Sequence, residues 1–266
     1  MPVDAPSVRG LPSGADCAGI DPMQPSASLA RLPESPQQAP HPRLREVVAR
    51  HLAAPDRTPI PDHTRAAFER LAADPRRDGR PLVFDSGCGT GLATALIARA
   101  RPDALVVGID RSQLRLDREL PLAWPANALR LRAEVGAFWR LAAEAGWRLD
   151  AHWLLHPNPS PKPGQLRRRW HAHPAFPALL ALGGALELRS NWRIYAEEFS
   201  IALGMAGVPA LVESAGETPI ESAFERKYRA AGHPIWRVAV DLPLDAGRAR
   251  GAARGSFTAR PGRSPA

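Results

Sequence analysis

Pro81-Leu-Val-Phe-Asp85, then Ser86-Gly87-Cys88-Gly89-Thr90-Gly91, then Leu92-Ala-Thr-Ala-Leu-Ile-Ala-Arg-Ala100: this run decides how the chain folds. A short apolar segment gives way to three glycines at alternate positions, and these to an Ala- and Leu-rich run that favours helix. The reading is strand, loop, helix. Glycine takes positive φ freely and lets backbone approach a ligand, so such a loop at the head of a helix is a ready binding surface. A dinucleotide fingerprint of the G-x-G-x-x-G type wants its third glycine at position 92, but Leu92 stands there and the glycine falls at Gly91. A nicotinamide dinucleotide is therefore disfavoured.

Outward from this unit the rhythm repeats. Residues 104–109 form a second buried-strand pattern ending at Asp110, and 128–132, 150–155 and 185–188 continue the series. Val135, Phe138, Trp139, Leu141 and Ala142 share one helical face, and residues 174–182 and 192–203 read as further helices. Residues 207–212 and 235–242 are expected to close the sheet. Upstream, Leu44, Val47, Val48 and Leu52 recur at helical spacing and 64–73 continues the helical pattern. The fold class is α/β, one sheet flanked by helices in a single domain. Asp85 and Asp110, at the ends of the first two strands, suit a ligand with a cationic end and a ribose diol.

The 266 residues carry 29 prolines, crowded towards the first quarter. Residues 1–42 read as a disordered Pro-rich segment, 43–245 as the folded domain with two leading helices, and 246–266 as a flexible Arg/Gly-rich tail. Two cysteines exclude a disulfide framework and a Cys-rich zinc site. No secretory signal or membrane-length apolar run is present, so a cytoplasmic location is expected. A formal charge of +8 favours an anionic partner such as RNA.

The D-x-G-x-G-x-G loop followed by a strand ending in Asp resembles the first two motifs of class I S-adenosylmethionine-dependent methyltransferases, and so implies their Rossmann-like sheet. On that resemblance Asp85, Gly87, Gly89 and Gly91 form the S-adenosylmethionine loop, Asp110 holds the ribose hydroxyls, and Glu134, within Ala133-Glu134-Val135, reads the adenine. A second signal is Leu155-His156-Pro157-Asn158-Pro159-Ser160-Pro161-Lys162, followed by Gln165-Leu-Arg167-Arg168-Arg169-Trp170. With Ser190-Asn191-Trp192, Tyr195 and Ser222-Ala-Phe224-Glu225, it resembles the bacterial tRNA (guanine-N7)-methyltransferase family over about residues 82–242. Asn158 and Asn191 stand where that family has Asp, Ser160 where it has Trp, and Gln165 where it has His. The resemblance implies methyl transfer to guanine N7 in tRNA. Asn158 and Lys162 are then the candidate catalytic residues, and Arg167, Arg168, Arg169, Asn191, Ser222 and Glu225 the substrate contacts.

Other residues read more simply. Cys88 is a small packing residue within the loop, and His152, His156, His171 and His173 lack metal-ligand spacing, so no metal is expected. Trp153 and Trp236 read as core, while Trp170 and Trp192 are candidates to pack beside a base. Two alternatives stay open on the sequence: a small-molecule methyltransferase on the same core, and a non-catalytic protein that binds the cofactor or RNA.

Overall fold

A computed structural model describes residues 35–54, 56–216, 220 and 222–243. Most of the Pro-rich segment and all of the 246–266 tail lie outside these residues. Helices α1 (Leu44–Ala53) and α2 (Asp62–Ala72) lead into β1 (Leu82–Ser86), α3 (Leu92–Ala100), β2 (Leu105–Asp110), α4 (Gln113–Leu116) and β3 (Ala128–Arg132). There follow α5 (Val135–Glu144), β4 (Ala151–Leu155), α6 (Phe176–Ala181), β5 (Gly184–Ser190), α7 (Arg193–Met205), β6 (Glu213–Ser214), α8 (Ala223–Ala230) and β7 (Trp236–Leu242). One seven-stranded sheet runs β3-β2-β1-β4-β5-β7-β6. The pairs from β3 to β5 are parallel, and β7 is antiparallel to both β5 and β6.

Every residue of β1 and β2 is buried, as a parallel strand covered on both faces requires. Side chains alternate across β1: Leu82 and Phe84 enter the larger core with α5 and α7, and Val83 enters the smaller one with Ala93 and Ile97 of α3. In α5 the buried positions Val135, Phe138, Trp139, Leu141 and Ala142 form the apolar stripe that the spacing predicts. The order of strands reverses between β1 and β4. At such a switch point the carboxyl ends of neighbouring strands part and open a crevice for ligands.

Residues 207–212 are not a strand. Gly207, at φ +86°, ends α7, with Val208 N–H donating to Leu203 O, and Pro209 has no N–H for a ladder. Only Glu213–Ser214 pairs with β7. Helices α4 and α8 are absent from the sequence reading. In α8 (AFERKYRA) polar residues dominate, and the helix is set instead by Ser222, whose hydroxyl accepts from Glu225 N–H. Among the described residues no helix is long and apolar enough to cross a membrane.

Candidate active site

The glycine loop is tied to the end of β2. Gly87 and Cys88 N–H both donate to Ile109 O, and Gly89 N–H donates to Asp110 Oδ2 at 2.9 Å. Asp110 Oδ1 accepts from Ser112 N–H at 2.8 Å, so backbone donors on both sides fix the carboxylate. Gly87, Gly89 and Gly91 all have positive φ. Above Gly87 and Gly89 an added Cβ would meet nothing within 4 Å, leaving an open cradle, whereas at Gly91 it would strike Arg130 and Trp124. Gly91 is thus required by its backbone angle and by its neighbours alike.

Asp85 lies under this loop, fully buried, accepting from Thr94 Oγ1 at 2.6 Å. Burial pushes its pKa up to about 6. Burial also raises the Cys88 thiol well above its usual value, which suits packing and not nucleophilic chemistry. Glu134, half-buried, stands just beyond β3 as α5 begins, and its N–H donates to Thr64 Oγ1 of α2. The three acidic residues named from the sequence therefore stand at the ends of three adjacent strands. An open cradle, an anchored carboxylate and a further acid beyond the next strand fit a ligand of the S-adenosylmethionine kind.

The loop after β4 is stiff. Prolines at 157, 159 and 161 restrict φ, His156 and Ser160 take positive φ, and Asn158 Oδ1 accepts from Ser160 N–H at 3.0 Å. Arg169 holds the Ser160 carbonyl through Nε and Nη2, at 3.2 and 3.1 Å. Its Nη1 meets Glu198 at 2.6 Å. Glu198 also accepts from Gln37 Nε2, from His41 N–H and from His171. Burial opposes the charge on Glu198, yet its partners hold the carboxyl down at about 2. Burial lowers the pKa of His171 against the opposing pull of Glu198, and its Nε2 lies 2.8 Å from that carboxylate.

The structure corrects one member of the basic run. Lys162, Arg167 and Arg168 are exposed, but Arg169 has no exposed surface and is committed to Glu198 and Ser160, so it braces the loop and grips no phosphate. Trp192 is buried beneath that guanidinium, 4.8 Å away, and Trp170 packs on Trp139. Trp192 is therefore not placed to stack on a base, whereas Trp170 keeps part of its surface exposed. Trp153 and Trp236, read as core, are only partly buried, with Arg189 and Arg193 over their rings.

Asn191 follows β5, Ser222 caps α8 and Glu225 lies in its first turn, and all three are buried. Glu225 bonds to Arg189, Arg229 and His156. Burial would raise its pKa, but these partners lower it to about 2. Asn191 Nδ2 lies 3.4 Å from His233 Nδ1. Asn158 is exposed at the crevice. The sequence reading passed over Glu198, although a carboxylate three residues after Tyr195 and one before Phe199, on the apolar face of α7, marks a buried charge in need of a partner. Among the described residues no group of His, Cys, Asp and Glu could hold a metal ion.

No protein-family profile matches the chain. A tRNA (guanine-N(7)-)-methyltransferase of Nocardioides sp. is 33% identical over 196 residues, covering 70% of this chain and 72% of that protein. Its counterpart in Anaeromyxobacter dehalogenans is 30% identical over 171 residues, covering 60% of this chain and 85% of that protein. Among solved structures the 16S rRNA methyltransferase KamB aligns at a TM-score of 0.49 with 18% identity, covering 70% of this chain and 95% of that one. Identity at this level over nearly three quarters of the Nocardioides protein, on a sheet whose cradle and proline-locked loop face one crevice, decides the assignment: the chain belongs to the tRNA (guanine-N7)-methyltransferase family.

Proposed function

We propose that the protein transfers the methyl group of S-adenosylmethionine to guanine N7 in tRNA, and that residues 43–245 form the catalytic domain. S-Adenosylmethionine supplies an electrophilic methyl group on a sulfonium. Asp110 would hold its ribose hydroxyls, Glu134 its adenine, and the Gly87–Gly89 cradle its closely approaching backbone-facing side. Asp85, beneath the loop, would lie under the cationic end.

Guanine N7 already carries a lone pair, so no base has to remove a proton before attack. The protein's task is alignment and exclusion of water. The observation that carries the reading is the orientation of Asn158. Its Oδ1 accepts from Ser160 N–H, which leaves the two Nδ2–H donors of the exposed side chain free of that bond, and guanine offers O6 as an acceptor next to N7. Lys162, Arg167 and Arg168 would meet phosphates, and their exposure favours an open polyanion site over a closed apolar chamber for a small molecule. Ser222, Asn191 and Glu225 would hold the far wall, and Glu225 acts through Arg189 and His156. A cytoplasmic location belongs to this reading, since tRNA is its substrate.

Incubation with labelled S-adenosylmethionine and unmodified tRNA, followed by digestion to nucleosides, tests it. Label in 7-methylguanosine supports the reading. Label in another nucleoside, or cofactor binding without transfer to any RNA, overturns it.

A further inference from the structure

A surface of aromatic rings adjoins the proline-locked loop at His156. Helix α8 turns Phe224 outward with 45% of its surface exposed, and the ring lies nearly parallel to Tyr228, at 6.4 Å and 25°. Tyr228 in turn stacks on His233 at 5.7 Å and 14°, and tilts against His156 at 5.3 Å. His156 is the residue that opens the loop carrying Asn158, and His233 is the neighbour of Asn191. A file of rings therefore runs from the base of the crevice to solvent.

We propose that the Phe224–Tyr228 face of α8 is a stacking platform for a nucleobase of the RNA substrate, beside the nucleotide held by Asn158. The proposal rests on the RNA methyltransferase reading and adds to it a second nucleotide contact. Phe224 does not anchor the helix: Ser222 caps it and Glu225, with no exposed surface, ties it to β5 through Arg189. Leaving a phenylalanine half in water forgoes part of its burial free energy, so the exposed ring gains by receiving a partner. The ring already lies roughly parallel to Tyr228, so an incoming flat ring would extend the file. Lys227, exposed and three residues after Phe224, shares that side of the helix and offers charge to a phosphate. Among flat partners, a base attached to a polyanion fits this pairing of ring and cation, and fits the net charge of +8.

The test uses the full chain with Phe224→Ala, Phe224→Leu and Phe224→Trp, measuring tRNA affinity by fluorescence anisotropy at fixed salt, S-adenosylhomocysteine affinity by calorimetry, and sedimentation. Loss of a stacking contact predicts that Phe224→Ala weakens tRNA binding roughly tenfold. Phe224→Leu should remain weak despite its bulk, Phe224→Trp should bind at least as tightly as the parent, and S-adenosylhomocysteine affinity should not move. Unchanged tRNA affinity in Phe224→Ala overturns the platform, and so does a leucine variant as good as the parent. A change confined to self-association also overturns it, and assigns the face to a second copy of the chain. If the parent protein itself neither binds nor methylates tRNA, the functional reading fails first, and the two failures are told apart.

Discussion

Arg169 and Glu198 form an ion pair of 2.6 Å in which neither side chain has any exposed surface, and the same arginine grips the carbonyl of Ser160. The loop that presents Asn158 is thereby wired to the buried face of α7. Removing one partner leaves the other charge buried and uncompensated, which costs about 3–5 kcal/mol. Glu198→Gln is accordingly expected to lower the urea unfolding free energy by that order. The double change Arg169→Met with Glu198→Leu removes the unpaired charge but strands the donors of His171, His41 and Gln37, so it should recover only part of the loss while leaving Ser160 unbraced. Chemical denaturation gives the first quantity, and protease cleavage within residues 156–162 reports the second. A single variant as stable as the parent would mean the pair is not coupled to folding.

Asp85 gives stability an unusual pH dependence. Its folded pKa of about 6 lies above the ordinary 3.8 because burial disfavours the ionised form. The folded state then binds the proton more tightly, so stability is fullest below pH 4 from this group and falls as pH rises towards 6. The cost above that window is up to about 3 kcal/mol. Asp85→Asn keeps an acceptor for Thr94 Oγ1 and is expected to raise the melting temperature at pH 8 while changing it little at pH 4. Equal shifts at both pH values would show that Asp85 is not buried as an acid.

Glu198 and Glu225 act in the opposite sense. Both are held at about 2, below the ordinary 4.5, so their contribution is complete above pH 4.5 and is lost as pH falls towards 2. Glu225→Gln should therefore flatten the acid limb of the stability curve and destabilise the protein at pH 7. Urea titrations at pH 3, 4, 5 and 7 check both effects. A parallel offset at every pH would assign the loss to packing alone.

Asp110→Asn addresses the cradle. Each carboxylate oxygen accepts one backbone N–H, from Gly89 and from Ser112, but an amide can accept only one of them and must point a donor at the other. Hydrogen bonds to a charged group are worth about 1.5–3 kcal/mol, so S-adenosylhomocysteine affinity should fall at least about tenfold. Calorimetry would measure it, and an unchanged affinity would remove Asp110 from the cofactor site.

The sheet and its crevice were legible because they rest on short-range signals. Apolar runs of five or six residues ended at acidic positions, and the glycine spacing marked where the backbone must turn positive. The brace was not legible. Arg169 sits third in a run of arginines that looks uniformly solvated, and only the pairing of the loop with α7, 29 residues away, gives it a buried partner. The same holds for Trp192, whose ring the guanidinium covers. Helix α8 escaped because its stability comes from a cap and a buried ionic cluster, and neither leaves an apolar period.

Asn158 gives the sharpest test of substrate orientation. The Ser160 N–H can only donate, so it fixes which end of the amide is oxygen and leaves Nδ2 of the exposed side chain free of that bond. Asn158→Asp preserves that bond, because a carboxylate oxygen accepts equally well, but replaces the two donors with an acceptor. If the donors meet guanine O6, the new carboxylate faces a lone pair, and kcat/KM for tRNA should fall by roughly ten- to a hundredfold with stability unchanged. Asn158→Ala should lose the contact and also loosen the loop, visible as faster proteolysis at 156–162. Single-turnover methyl transfer on both variants separates the roles. An aspartate variant as fast as the parent would mean that the residue serves the turn, and that guanine is held by other groups.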